Sequence, residues 1–216
     1  MTALLYSFRR CPYAMRGRMG LYASGLSYEH REVILRDKPD AMLSLSPKGT
    51  VPVYQHEDGT LIEESLELLF FALEKHDPHG WLACDREAAM ALISRNDGIF
   101  KHHLDRYKYK SRYHPEAKRG DTDIDHCRAA EEIIKTYELH LTDAPYLLGE
   151  TQSVADIAIF PFMRQFANTD RKWWDGEDKN APPYPATHNW LERHISSEIY
   201  QSIMTKYAVW KPPLAG

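Results

Sequence analysis

The 216-residue chain has no run of roughly 18 apolar residues, so no membrane-spanning helix is expected, and its opening stretch ALLYSF is too short an apolar run for a signal peptide. Cysteine is scarce. Cys11, Cys84 and Cys127 are odd in number and far apart, which argues against a disulfide framework and fits a reducing, cytoplasmic setting. No Cys-x-x-Cys pair occurs, because Ala14 stands where the second thiol would be. Zinc-type spacing is absent too, and no metal is expected. Nor is there a polybasic footprint: 27 Lys and Arg against 31 Asp and Glu leave a net charge of -4, which excludes general nucleic-acid or membrane-surface binding. A local basic pocket for a small or anionic ligand is still compatible with that charge. What remains, 43% hydrophobic and 27% charged residues, describes an ordinary globular protein long enough for one large or two small domains.

The pattern changes along the chain. From residue 3 to about 76 strand and helix signals alternate, whereas from about 85 nearly every periodic stretch reads as helix. ALLYSF is a buried-strand candidate, YAMRGRMGLYASG a helix closing on Gly25, and YEHREVIL a second strand, together a βαβ unit. VPVYQHEDGTLIEES reads as a hairpin about Asp58-Gly59, followed by the helix ESLELLFFALEKH. DPHGWLACD is linker-like. Beyond it helices are expected near 86 to 109, 123 to 142, 154 to 168 and 186 to 207, separated by the breakers YHPEAKRGD, DAPYLLGE and DGEDKNAPPYP. No internal repeat is visible. The expectation is an α/β thioredoxin-like domain, βαβ then ββα, at 1–77 and an all-α domain at 86–216.

Three stretches carry chemistry. In RRCPYAMR, a helix starting at Pro12 would place Cys11 at its N-terminus, where free N–H groups, the helix dipole and Arg9, Arg10 and Arg16 favour a thiolate of lowered pKa. A packed structural cysteine reads equally well from local context alone. In SPKGTVPVY, a cis Val51-Pro52 bond would turn the Val51 N–H and C=O outward toward an extended peptide ligand, whereas a trans bond would make Pro52 an edge-strand proline. In IEES, Glu64 or Ser65 begins a helix whose amides and hydroxyl suit a carboxylate, or merely caps it.

In order and spacing these elements resemble the thioredoxin-like domain of the glutathione transferases, with the omega class as the nearest pattern: CPYA, DKPD, PKGTVPV and EES stand where that class has a Cys-Pro-aromatic-Ala start, a Lys-Pro pair, Pro-x-Gly-x-Val-Pro-Val and Glu-Ser. The resemblance implies that Cys11 is the thiol facing glutathione, with Tyr13 beside it. It also implies Lys38 near the glycine carboxylate, Val51 pairing with the cysteinyl backbone, and Glu64 and Ser65 holding the γ-glutamyl end. TQSVADIAIFPF adds the Ser-x-Ala-Asp start of the family's core helix, with Ser153 and Asp156 forming a capping-box variant. After about residue 168 only a loose likeness to the family's YP-x5-W segment remains. The implied function is glutathione-dependent thiol transfer or reduction through a monothiol cysteine, on a small electrophilic or disulfide substrate, in a homodimer. A substrate cleft involving Phe100, His103, Tyr107, Phe166 and Trp173 is implied as well, although core packing is the commoner fate of such aromatics.

Rival readings are specific. Tyr6, at the end of the first strand, is the candidate if the chemistry is tyrosine-assisted conjugation, and a non-catalytic binding or regulatory protein of the same fold is the third possibility. His102 and His103 are adjacent on a helix and diverge, so as a pair they are poorly placed to share an ion. KHHLDRYKYKSRYH is basic and aromatic, but it reads as a solvated helix face rather than a nucleic-acid site. Cys84 and Cys127 are expected to be structural.

Overall fold

The structure, a computed structural model, describes residues 2–177 and 182–212. They divide into two units, the first running to His79 and taking in the segment from Ser197 onward, the second Gly80–Ser196. Most of the all-helical domain expected at 86–216 lies in the second unit. Its end does not: Trp210 N–H donates to the Glu32 carbonyl at 2.8 Å, and Val209 bridges in parallel to Glu32.

The first unit is built on four strands, β1 (Leu4–Ser7), β2 (Glu29–Glu32), β3 (Val53–Gln55) and β4 (Leu61–Ile62), in the spatial order β2-β1-β3-β4. β1 pairs in parallel with β2 and antiparallel with β3, and β3 pairs antiparallel with β4. This is the expected βαβ then ββα order. Successive strand residues face opposite sides. Leu5 and Tyr54 therefore join Leu21, Leu68 and Ala72 in one core cluster, while Tyr6 and Val53 join Ala14, Val33 and Met42 in another. The Val51-Pro52 peptide is cis.

The first cluster brings together helices α1 (Pro12–Ser24) and α3 (Ser65–Lys75); the second includes Met42 of α2 (Asp40–Leu45), a short helix with no counterpart among the expected elements. α1 starts on Pro12, whose missing N–H is one the helix would leave unpaired anyway, and ends at Gly25 in the left-handed conformation (φ 72°). A Cβ on Gly20 would meet the Leu69 Cα at 3.0 Å, so glycine lets the two helices approach backbone to backbone. Along α1 only Tyr13 and Tyr22 are not buried, and that burial includes two arginines.

Arg18 is 1% exposed, yet each of its guanidinium nitrogens has an oxygen. Nε donates to the Ile203 carbonyl at 3.1 Å, Nη2 to the Arg9 carbonyl at 2.7 Å, and Nη1 to Ser7 Oγ at 2.5 Å and the Phe8 carbonyl at 3.4 Å. Burial pulls its pKa below the ordinary arginine range, and nearby Tyr28 and Glu32 oppose that pull.

The second unit contains α4 (Arg86–Arg95), α5 (Lys101–Lys108), α6 (Ile124–Asp143), α7 (Val154–Ala167), α8 (Arg171–Asp175) and α9 (Pro185–Ile195). The single helix expected near 86 to 109 is interrupted by a wide π-type turn at Asn96–Phe100, where Asn, Asp and Gly, poor helix formers, come together. The helix expected near 186 to 207 breaks at Ser197, whose hydroxyl accepts the Tyr200 N–H at 3.2 Å and starts α10 (Glu198–Ile203) in the first unit. The breaker DGEDKNAPPYP falls partly at 178–181, outside the described residues.

At the centre is α7, on which only Arg164 is not buried. The expected Ser153–Asp156 cap is present, and the carboxylate does more than cap. Asp156 Oδ2 accepts the Ser153 N–H and hydroxyl at 2.9 and 2.8 Å, while Oδ1 accepts the Leu147 N–H and the Trp190 indole N–H, both at 2.9 Å. One buried carboxylate thus ties a loop, α7 and α9 together.

Replacing a buried group that satisfies several partners costs more than the bonds it made, because the partners are left unpaired. Arg18→Met and Asp156→Ala are each expected to lose on the order of 3 kcal/mol, read from urea unfolding midpoints. A loss below about 0.5 kcal/mol, the range of ordinary surface substitutions, would contradict these roles.

Candidate functional site

Cys11 lies where β1 hands over to α1, as the residue that caps the helix (φ -71°, ψ 124°). Its N–H closes a turn onto the Phe8 carbonyl at 3.0 Å, and its carbonyl receives the first helical bond, from Met15 N–H at 2.9 Å. The turn is held from both sides. Arg18 grips the Phe8 and Arg9 carbonyls, and Glu32 Oε1 accepts the Arg9 N–H at 2.7 Å. Half-buried Cys11 points its Sγ toward the Val51 carbonyl at 3.9 Å, a weak S–H···O contact.

Next to this thiol is a cavity of about 340 Å³, lined by Tyr13, Lys48, Thr50, Val51, Pro52, Glu63, Glu64 and Ser65. Four of the expected site residues, Tyr13, Val51, Glu64 and Ser65, therefore share one pocket, and Cys11 touches its Val51 wall. Ser65 is buried at the first position of α3, and its hydroxyl accepts from Arg16 Nη1 at 3.4 Å. Exposed Glu64 caps α3 and takes a 3.0 Å ion pair from Lys48, whose ammonium also lies 3.7 Å from Glu63. Glu63 in turn accepts from the Ser46 hydroxyl. Arg16 stands over the Tyr13 ring at 5.8 Å. The pocket thus offers a helix start with a hydroxyl, a backbone carbonyl, two carboxylates and an ion-paired lysine.

Lys38 is not among the lining residues; its side chain packs over Gly49, with Nζ 3.7 Å from where a Cβ there would sit. Lys48, which does line the cavity, occupies a variable position of PKGTVPV, so no motif signal singled it out. Tyr6 is fully buried, its hydroxyl accepting from Arg31 Nη1 at 2.7 Å and its ring set edge-on against Trp210 at 5.7 Å. Phe100, Tyr107 and Phe166 are core residues, at most 4% exposed, so the packing reading holds for those three. His103 and Trp173 are half-buried.

The other two thiols sit in different chemistry. Cys84 contacts the Trp81 carbonyl at 3.6 Å, and burial raises its pKa. Burial, reinforced by the charge of Glu131, pushes Cys127 up to about 11.

Comparison with known proteins identifies the family. Residues 5–80 match the family model "Glutathione S-transferase, N-terminal domain", and residues 99–193 match "Glutathione S-transferase, C-terminal domain". The chain belongs to the glutathione S-transferase family. Relatives of this transferase include "Glutathione S-transferase omega-1" of Mus musculus, 39% identical over 62 residues. That match covers 29% of the chain and only about a quarter, 26%, of the mouse protein. "Probable glutathione S-transferase DHAR1, cytosolic" of Oryza sativa subsp. japonica is 28% identical over 200 residues, 92% of this chain and 84% of the relative. The crystal structure of glutathione transferase Omega 3C from Trametes versicolor has a TM-score of 0.72 at 23% identity, covering 94% of this chain and 84% of that one, and shows the shared fold.

The three environments make the transferase's thiols distinguishable. At pH 7 and one equivalent of iodoacetamide, alkylation is expected at Cys11, with Cys84 and Cys127 reacting only after urea is added. Peptide mass spectrometry reads the positions. Equal labelling of all three in the native protein would show that the Cys11 environment confers no selectivity.

Proposed function

We propose that this transferase is a glutathione-dependent thiol transferase whose nucleophile is Cys11. The observation that carries the reading is the Cys11 Sγ at a helix N-terminus, 3.9 Å from the Val51 carbonyl, beside a cavity lined by Val51, Glu64 and Ser65. Glutathione suits that cavity. Its γ-glutamyl carboxylate complements the α3 amides and the Ser65 hydroxyl, its ammonium complements Glu64, and its cysteinyl backbone complements Val51. Lys38 remains the proposed partner of the glycine carboxylate, and Lys48 supplies a second cation at the pocket. A homodimer in the cytoplasm belongs to the same proposal.

The chemistry is two thiol–disulfide exchanges. The Cys11 thiolate attacks the glutathione sulfur of a mixed disulfide, forming a Cys11–glutathione disulfide and expelling the substrate thiolate, which takes a proton from water. A second glutathione thiolate then attacks the glutathione sulfur of that disulfide, releasing oxidised glutathione and restoring the Cys11 thiolate. Ala14 makes the external thiol necessary. It stands at the third position after Cys11, where a dithiol enzyme would hold its own resolving cysteine. Tyrosine-assisted conjugation draws less support, because the Tyr6 hydroxyl is buried and committed to Arg31.

Cys11→Ser is expected to lower thiol transferase activity toward a glutathionylated peptide by at least about 10³-fold, the scale of losing a covalent nucleophile, while Tyr6→Phe keeps activity within a few-fold. Incubation with oxidised glutathione is expected to place a single adduct on Cys11. Full activity in Cys11→Ser with loss in Tyr6→Phe would assign the reaction to the tyrosine. Absence of glutathione binding in calorimetry would point to the non-catalytic alternative.

A further inference from the structure

The imidazoles that diverge when only His102 and His103 are considered acquire a third partner in space. His126, in the first turn of α6, faces α5, and one ring nitrogen from each of His102, His103 and His126 lies within 4.8 Å of the other two. We propose that these three histidines form a binding site for one divalent transition-metal ion of the imidazole-preferring kind, Zn²⁺ above all.

The closest approach supports this directly. His103 Nδ1 and His126 Nδ1 are 2.8 Å apart, so one nitrogen holds a proton and the other presents its lone pair to it. A metal ion replaces that shared proton. Tetrahedral zinc with Zn–N bonds of 2.0–2.1 Å sets two ligand nitrogens about 3.3 Å apart, an opening of about half an ångström from the present contact. Rotation of two half-buried rings provides it. The third ring closes the triangle, with centroids 5.0 Å from His102 to His103, 5.1 Å from His103 to His126 and 6.0 Å from His102 to His126. Because His102 is exposed, the fourth coordination position opens to water.

The surroundings hold the ligands in place. Asp123 caps α6, accepting the Asp125 and His126 N–H groups at 3.2 and 3.4 Å, which anchors His126 where α6 begins. That carboxylate also faces Lys110 at 3.8 Å and His114 at 3.6 Å. Asp105 on α5, paired to Lys101, adds negative charge nearby. Arg106 opposes binding through its positive charge, since its Nη1 stands 3.0 Å from His102 Nδ1.

The test is titration of Zn²⁺ into the full-length protein in competition with a chelating dye, carried out on the unaltered chain and on Cys11→Ser. One Zn²⁺ per chain is expected in both. His103→Asn and His126→Asn are each expected to weaken binding by more than about tenfold, Arg106→Gln to tighten it, and near-UV circular dichroism to stay unchanged. His102→Asn, at the exposed ligand, gives a variant with little risk to folding and is expected to follow the other two. Absence of a stoichiometric site on the unaltered chain, unchanged affinity in the histidine variants, or a site that disappears with Cys11 would each overturn the assignment.

Discussion

The buried Arg18 guanidinium is the constraint on which the candidate site depends. A charge taken out of water persists only where its donors are met, and here they are met by Ser7, Phe8, Arg9 and Ile203. The first three are the end of β1 and the short turn that carries the chain from it to Cys11. Fixing the Phe8 and Arg9 carbonyls fixes where the turn ends, and the turn's end is where the thiol emerges. Glu32 completes the clamp from β2 by taking the Arg9 N–H, and its second oxygen lies 3.0 Å from His30. The position of the thiol is thus set by groups that take no part in the proposed chemistry.

In the helical unit Asp156 has the corresponding role, a buried carboxylate with four donors around it. The two centres work alike. Each is a charged group inside an apolar region, and each joins segments distant in sequence that hydrophobic contact alone would leave free to slide. The difference among the three thiols follows from the same principle. Cys127 is enclosed beside Tyr107 and Glu131 and stays protonated, whereas half-buried Cys11 stands at the start of α1 against the Val51 wall of a cavity.

Much of this was legible in the residues. The four strands, α1, α3, the start of α7 and the break at Gly25 follow from alternation, capping and turn chemistry, which are local. The grouping of Tyr13, Val51, Glu64 and Ser65 followed from the likeness of motifs to a known family. Lys48 did not, since its place at the pocket depends on how the loop before β3 folds back toward α3. Nor did the triad at His126, because two adjacent histidines give no hint of a third 23 residues away whose helix crosses theirs. The π-type turn at Asn96–Phe100 and the restart at Ser197 were hidden by apolar periodicity that continues across both.

The return of the C-terminal segment to the sheet unit affects the order in which the protein can mature. A ribosome delivers Ile203 and Trp210 after the helical unit, so the first unit cannot complete its hydrogen bonding until the helical unit has been synthesised. Folding as an independent N-terminal module during translation would leave the Arg18 Nε without its carbonyl and the outer edge of β2 without its bridge. The segment from Ile203 to Trp210 therefore completes the unit that carries the thiol.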